Sequence, residues 1–355
     1  MKNYLYSEVL KDMTGRLCIP EGATVSDAIR IAQEANMSPY AFRESDSRGR
    51  ETSLPVSEVR NNFQRDRDRI IHCKSFRRLM HKTQVFLAPE VEHYRTRLTH
   101  TLEVTQIART IARALRLNED LCEAASLGHD LGHTPFGHIG EKALQRYCLP
   151  EFTHYGQSLR VVEKLERLNL MWEVRDGIVN HQGDHLASTL EGRVVKFADR
   201  IAYINHDIDD AVRAGILLES EIPEKLHKVL GQNHSERINT MVMSIVRASF
   251  DKNEISMEPE IKDATDQLRD FLFEHVYYSP LVLAEEERAS GLIVRLFEHF
   301  VKHPGEMPGA FCEMCEDEPV ERIVADFISG MTDRHAISLY KSLFVPNTWS
   351  GPEEV

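Results

Sequence analysis

From about Arg60 onward, apolar residues return at three-, four- and five-residue steps, and no useful period-2 stretch interrupts them. That pattern predicts helix after helix and no sheet. Between Thr96 and Leu117, the positions Leu98, Leu102, Ile107, Ile111 and Leu115 form the apolar stripe of one amphipathic helix. Asn118 can cap the next helix, with Glu119 and Asp120 in its first turn, where carboxylates meet the positive end of the helix dipole. That helix runs through Leu121, Ala124, Ala125 and Leu127 to Gly128-His129-Asp130-Leu131-Gly132-His133, and Thr134-Pro135-Phe136-Gly137 should break it. A new helix is expected near His138, and others at about 155–169, 173–182 and 191–217. Upstream, Asp27 to Ala35 reads as a short helix and Arg43 to Glu51 as a polar loop. The C-terminal third is helical by the same criteria, with an acidic loop near Glu313–Pro319, and no internal repeat is evident. The expectation is an all-α protein: an N-terminal segment (1–58), a principal core (59–220) and a C-terminal helical region (221–355).

Composition narrows this picture. A chain of 355 residues can build one large core or two modest ones. No apolar run approaches the roughly 18 residues of a membrane span, and MKNYLYSEVL lacks the apolar stretch of a signal peptide. A cytoplasmic location is therefore expected. Cys18, Cys73, Cys122 and Cys148 are scattered, as reduced thiols often are. Cys312 and Cys315 form a lone CxxC without two further ligands at zinc-motif spacing. The net charge of −13 disfavours a protein that coats nucleic acid, and nucleic-acid binding is not indicated. Against that acidic background, Arg60 to Lys82 holds eight basic residues and two acidic ones. Such a stretch either faces an anionic ligand or is a solvated face of ion pairs, and charge alone does not choose.

The candidate chemistry lies where the helices meet. His100, His129, His133, His138 and His154 fall within one 55-residue window. A single helical His is usually structural. His129 is followed directly by Asp130 at a helix end, however, and divalent metals take carboxylate oxygen together with imidazole nitrogen. His100 on the preceding helix and Asp199 further on could supply more donors. On the helix carrying Asp199, Ile201, Ile204, Ile208 and Val212 form an apolar stripe. Asp199, Tyr203, His206 or Asp207, and Asp210 form a polar one. Periodicity alone favours a solvated face for the polar stripe, whereas Tyr and His within an acidic line favour a cleft.

The order His100, His129-Asp130, Asp199 matches the H…HD…D signature of the HD superfamily. The surrounding words are narrower. Phe63-Gln-Arg-Asp-Arg-Asp-Arg-Ile-Ile-His, Phe76-Arg-Arg-Leu-Met-His-Lys-Thr-Gln-Val-Phe and Arg97-Leu-Thr-His-Thr-Leu-Glu-Val resemble the deoxyguanosine triphosphate triphosphohydrolase-like family. So do Gly128-His-Asp-Leu-Gly-His-Thr-Pro-Phe-Gly-His, His154-Tyr-Gly-Gln-Ser-Leu-Arg and Ala198-Asp-Arg-Ile-Ala-Tyr. The resemblance covers roughly residues 50 to 217 and implies an HD-domain helical bundle extended by helices on both sides.

The resemblance further implies that His100, His129, Asp130 and Asp199 ligate one or two divalent ions, from Mg and Mn to Fe, Co, Ni or Zn. It places His133, His138, Glu141 and His154 in a second catalytic group. His138 and Glu141 are three residues apart on one helical face, where a carboxylate can orient an imidazole as general acid. Some relatives carry Asp at the position of Glu141. Arg97 resembles an α-phosphate contact, Gln84 a nucleoside contact, and Tyr203 and Asp207 contacts near the sugar 3′-hydroxyl. Arg200 joins Arg97 as a candidate for holding the triphosphate. The implied reaction is hydrolysis of deoxynucleoside triphosphates to deoxynucleoside and inorganic triphosphate, in a homo-oligomer open to a nucleotide effector. The rival readings are another HD phosphohydrolase, acting on monophosphates, cyclic nucleotides or alarmones, and a non-catalytic nucleotide sensor.

Overall fold

The computed structural model describes residues 24–84 and 95–346. Cys18, the N-terminal decapeptide and the Val85-Phe86 end of the second motif lie outside them. The described residues form helices joined by turns, with no strand, as the periodicity predicts. An isolated antiparallel bridge pairs Thr83 with Thr96. In chain order the helices are α1 (Val25–Glu34), α2 (Asn62–His72), α3 (Lys74–Arg78), α4 (Arg97–Ala114), α5 (Glu119–Gly128), α6 (His138–Tyr147), α7 (His154–Arg160) and α8 (Trp172–Val179). They continue with α9 (Leu190–Arg213), α10 (Glu224–Leu230), α11 (His234–Ser249), α12 (Pro259–Leu272), α13 (Pro280–Lys302), α14 (Gly309–Met314), α15 (Val320–Ser329) and α16 (Asp333–Phe344). No helix among the described residues is long and apolar enough to cross a membrane.

Local chemistry sets the helix ends. Thr96 and Asn118 cap α4 and α5 through their side chains, which accept from the amides of Thr99 and Leu121. The helix expected over 155–169 stops earlier. A π-helical turn (Val161–Leu165) follows α7, and left-handed backbone at Arg167 and Asn169 then ends it. The helix expected over 191–217 ends at Arg213 for the same reason, with Gly215 at φ +69°. Near Glu313–Pro319, α14 takes Glu313 and Met314, leaving the turn to begin at Cys315.

Three apolar clusters hold the helices together. One joins α4 and α9 to α11 and α12. A second joins α2 and α5 to α7 and α8, and a third seats α6 on α13 and α15. Helix α9 packs against α4, α5, α8, α11 and α12 and forms the spine of the bundle. Ile201, Ile204 and Ile208 are buried as expected, but Val212 is 37% exposed. On α4, Ile107, Ile111 and Leu115 are buried, whereas Leu102 faces solvent.

The basic stretch resolves as ion pairs and carbonyl contacts. Arg60 and Arg67 pair with Asp68, Arg67 also with Glu123, and Arg65 and Arg69 donate to the carbonyls of Pro55 and Leu168. Lys82 is buried, donating to the carbonyls of His133 and Ser329 at 2.5 and 2.7 Å.

Helix α7 approaches the end of α5 so closely that position 132 tolerates no side chain. A Cβ on Gly132 would lie 2.1 Å from the Ser158 amide nitrogen and 2.3 Å from the Gln157 carbonyl carbon. Ser158 seals the contact: its Oγ accepts from the Gly132 amide and donates to the His129 carbonyl, at 2.9 and 2.7 Å. Gly132→Ala must therefore push backbone from backbone and is expected to cost about 3 kcal/mol, the upper end of ordinary overpacking. Equilibrium denaturation checks this against the wild-type protein.

Candidate metal centre and catalytic cavity

Helix α5 ends one residue before the chemistry begins. His129 takes the C-cap position, Asp130 opens the turn that follows, and Phe136 and Gly137 reverse the chain in left-handed backbone at φ +62° and +57° before α6. The Gly137 position has a second constraint, because a Cβ there would lie 2.6 Å from the Arg97 guanidinium. Ten residues thus turn back on themselves and present Asp130, His133 and His138 to one cavity, with His129 directly behind its wall. Helix α4 enters from the side with Arg97 and His100, and α9 contributes Asp199, Tyr203 and Asp207.

The four expected ligands fall in two overlapping groups, His100, His129 and Asp199 in one and His129 and Asp130 with His181 in the other. His100 Nε2 lies 3.2 Å from Asp199 Oδ1 and 3.9 Å from Asp130 Oδ2. His129 Nε2 lies 3.6 Å from Asp130 Oδ1 and 3.9 Å from Asp199 Oδ1. The orientation of His129 is set from behind. Its Nδ1 is 2.6 Å from the Ser126 carbonyl, which can only accept, so the ring proton is on Nδ1 and the Nε2 lone pair faces the carboxylates. That Nε2 is buried without a hydrogen-bond partner. An orphaned lone pair between two carboxylates and a second imidazole fits a divalent cation.

Electrostatics favour the charged carboxylates. Burial raises the pKa of Asp130, but His129, Arg97, His133 and His100 outweigh it and hold the carboxyl well below the ordinary carboxylate range. Asp199 is likewise held low: burial opposes ionisation, and His100, His129 and His181 override it. Arg97, only 1% exposed, donates to Asp130 at 2.7 Å. In this state the expected phosphate contact is therefore engaged with a ligand carboxylate on the cavity wall.

The second group sits beside the first. The atoms of His133, His138, Glu141 and His154 lie within 4.8 Å of one another. Glu141 accepts from the His154 backbone amide at 2.7 Å and from its Nδ1 at 2.9 Å, while His138 Nδ1 is 3.3 Å away. Burial opposes ionisation of Glu141, but His154, His138 and His133 hold it far below its ordinary value. Burial similarly opposes protonation of His154, and Glu141 outweighs it, raising the pKa. His154 Nε2 faces His181 Nε2 at 3.3 Å. Each ring already gives its Nδ1 proton to an acceptor, Glu141 for His154 and the Ile178 carbonyl for His181. Burial and the neighbouring His129 and His154 push the pKa of His181 down to about 3.

The chain matches the HD domain model over residues 97–204 and the phosphohydrolase-associated domain model over 255–342. It is 55% identical to a deoxyguanosinetriphosphate triphosphohydrolase-like protein of Caldanaerobacter subterraneus subsp. tengcongensis, across 88% of this chain and 94% of the relative. A protein of the same description from Clostridium perfringens is 45% identical across 91% and 98% of the two chains. The chain belongs to the deoxyguanosinetriphosphate triphosphohydrolase-like family. Among solved structures, a phosphohydrolase from Bacteroides thetaiotaomicron shares the fold with a TM-score of 0.53 at 16% identity, covering 82% of this chain and 71% of that one.

Of the residues expected to act in this family member, all but two line a single cavity of about 370 Å³. His129 lies fully buried behind it. Arg200 does not line it and pairs with Asp266 instead. Gln84 is 9% exposed, and its side-chain oxygen has no partner.

From the polar stripe of α9, Asp199, Tyr203 and Asp207 line the cleft, while His206 and Asp210 are buried outside it. Sequence reasoning missed His181, Tyr277 and Tyr278. His181 repeats the construction of His129, a ring at a helix end bonded to the carbonyl three residues back, and that repetition was the available signal. The tyrosines come from a π-helical turn, Phe273–Tyr277, and the residue after it, far along the chain from any motif.

The Glu141–His154 pair predicts a pH signature in the metal-free protein. The contribution of Glu141 is complete above its ordinary value of 4.5 and is lost as pH falls through its depressed folded value. That of His154 is complete below its ordinary 6.5 and is lost as pH rises through its raised folded value. Thermal unfolding should therefore show wild type exceeding Glu141→Gln most between pH 4.5 and 6.5, by about 3 kcal/mol for a broken buried pair. A difference that does not vary with pH would remove this pairing.

Proposed function

We propose that this chain hydrolyses deoxynucleoside triphosphates at the α-phosphorus, releasing deoxynucleoside and inorganic triphosphate. The observation that carries the reading is the presence in one cavity of two adjacent groups. One is a His/Asp set suited to a divalent ion, and the other is a His/Glu set suited to proton transfer. Opposite them stand Tyr203, Phe273, Tyr277 and Tyr278, a wall on which a nucleoside can rest. The relatives' names point the same way.

A divalent ion held by His100, His129, Asp130 and Asp199 supplies Lewis-acid polarisation of the phosphate and activation of the attacking water. Two imidazoles and two carboxylates suit Mn, Fe, Co, Ni or Zn, and Mg less well. The chain's own residues do the rest. Arg97 turns from Asp130 to a phosphate oxygen. Water adds to the α-phosphorus as its bond to O5′ breaks, and O5′ leaves with a proton. His138 gives that proton: its side chain is 57% exposed at the cavity mouth, within reach of a bound ligand, and Glu141 orients it. Glu141 and His154 together form a buried, proton-holding base for the group.

Chelation should abolish turnover, and His129→Ala should lose metal, measured by elemental analysis, together with activity. Phosphorus NMR should show triphosphate appearing as substrate disappears; orthophosphate or pyrophosphate from the outset would assign a different HD chemistry. His138→Ala should lower kcat by about 10²–10⁴-fold at unchanged metal content. Near wild-type kcat in that variant would remove His138 from the mechanism. The same reading includes a symmetric, even-numbered assembly, checked by light scattering on active protein.

A further inference from the structure

A line of polar side chains crosses the cavity wall behind the proposed metal ligands. His100 Nδ1 lies 2.8 Å from His206 Nε2. His206 Nδ1 lies 2.9 Å from Asp207 Oδ1, a close electrostatic contact without hydrogen-bond alignment, and neither atom has a hydrogen-bond partner. The other oxygen of Asp207 accepts the hydroxyl of Tyr277. His100, His206 and Asp207 are at most 2% exposed, so water does not satisfy these atoms. His206 does not line the cavity, whereas His100, Asp207 and Tyr277 do.

The donors along this line have a single consistent direction. As a ligand, His100 must present a lone pair at Nε2, so its proton sits on Nδ1 and is donated to His206 Nε2. His206, accepting there, carries its own proton on Nδ1, on the side of the ring that meets the Asp207 carboxylate at 2.9 Å in electrostatic contact. Tyr277, from the far side, can only donate to the carboxylate. A carboxylate behind a ligating histidine fixes its tautomer and strengthens its lone pair. Here that effect reaches His100 through a second imidazole.

We propose that His206 is a positioning residue that couples the Asp207–Tyr277 side of the cavity to the metal through His100. It rests on the reading of His100 as a metal ligand and of Asp207 as a contact for the sugar. A donor placed on Asp207 draws charge from the carboxylate, weakens its electrostatic pull on the His206 ring 2.9 Å away and so weakens the lone pair His100 offers the metal. Tyr277 is such a donor already in place. A substrate hydroxyl seated on Asp207 is a second one, and it reaches the metal by the same route. The competing role for His206 is packing alone, its ring meeting that of His100 edge-on at 4.9 Å.

Mn²⁺ affinity of the metal-stripped protein, read from the paramagnetic resonance signal of free Mn²⁺, separates the two roles without turnover. His206→Phe keeps a ring and removes both polar ends; it should weaken Mn²⁺ binding by about 10–100-fold, the usual effect of removing a group that orients a ligand. Tyr277→Phe removes one donor from Asp207 and should tighten Mn²⁺ binding several-fold, whereas the loss of a merely structural bond would loosen the site. In the double variant the Tyr277→Phe effect should vanish, because its route is gone. Should His206→Phe not fold, His206→Gln tests the same link, and Tyr277→Phe alone still decides the sign. Mn²⁺ affinity within twofold of wild type in folded His206→Phe, a Tyr277→Phe effect of the same size in both backgrounds, or weaker binding in Tyr277→Phe would overturn the coupling. Failure of the substrate reading looks different: wild type that binds Mn²⁺ but releases no triphosphate sinks that reading and leaves the coupling standing.

Discussion

Two carboxylates, Asp130 and Asp199, carry negative charge inside a helical bundle, and the rest of the site is arranged around that cost. An isolated buried carboxylate would take up a proton or unfold its surroundings. Here Arg97 reaches Asp130 at 2.7 Å, and His100 and His129 stand between the two acids. Between the two acids the compensation is incomplete, because the Nε2 of His129 has no partner. A buried Asp130 and a cavity-lining Asp199, with a lone pair facing both, form a set that could hold a cation.

That demand explains the shape of the backbone nearby. The ligands cannot all come from one helix face, because adjacent helical residues point about 100° apart. Ending α5 at Gly128 and turning the chain through Gly137 frees His129 and Asp130 to converge with α4 and α9. Within the turn, Leu131 and Phe136 are buried in two different apolar clusters. Ser158 pins it from α7, and Lys82 ties the His133 carbonyl to that of Ser329.

The C-terminal helices complete this support. Asp333, at the start of α16, accepts from the backbone amides of Thr83 and Phe136 and from the Thr83 hydroxyl. Asp326 on α15 is fully buried and receives Arg160, Gln157 and Arg322. Acids of the phosphohydrolase-associated segment thus bind the backbone and side chains that carry the HD residues. The π-helical turn after α12 sends Tyr277 to Asp207. The associated segment is part of the site as well as a neighbour of it.

The sequence alone determined the helical class, the Asn118 cap of α5, the break at Thr134–Gly137 and the clustering of histidines around it. Those features are local: caps, chain reversals and short motif spacings involve residues a few positions apart, and their chemistry is written in residue type. Tertiary structure decided what depends on partners distant in the chain. It drew Arg200 to Asp266 and spent the basic stretch on ion pairs. It also buried the α9 polar stripe that periodicity alone would have left in water. His181, His206 and Tyr277 acquired their surroundings in the same way. A histidine or tyrosine gains a role from the carbonyl, ring or carboxylate that packing brings within about 3 Å, and no spacing along a chain encodes that distance.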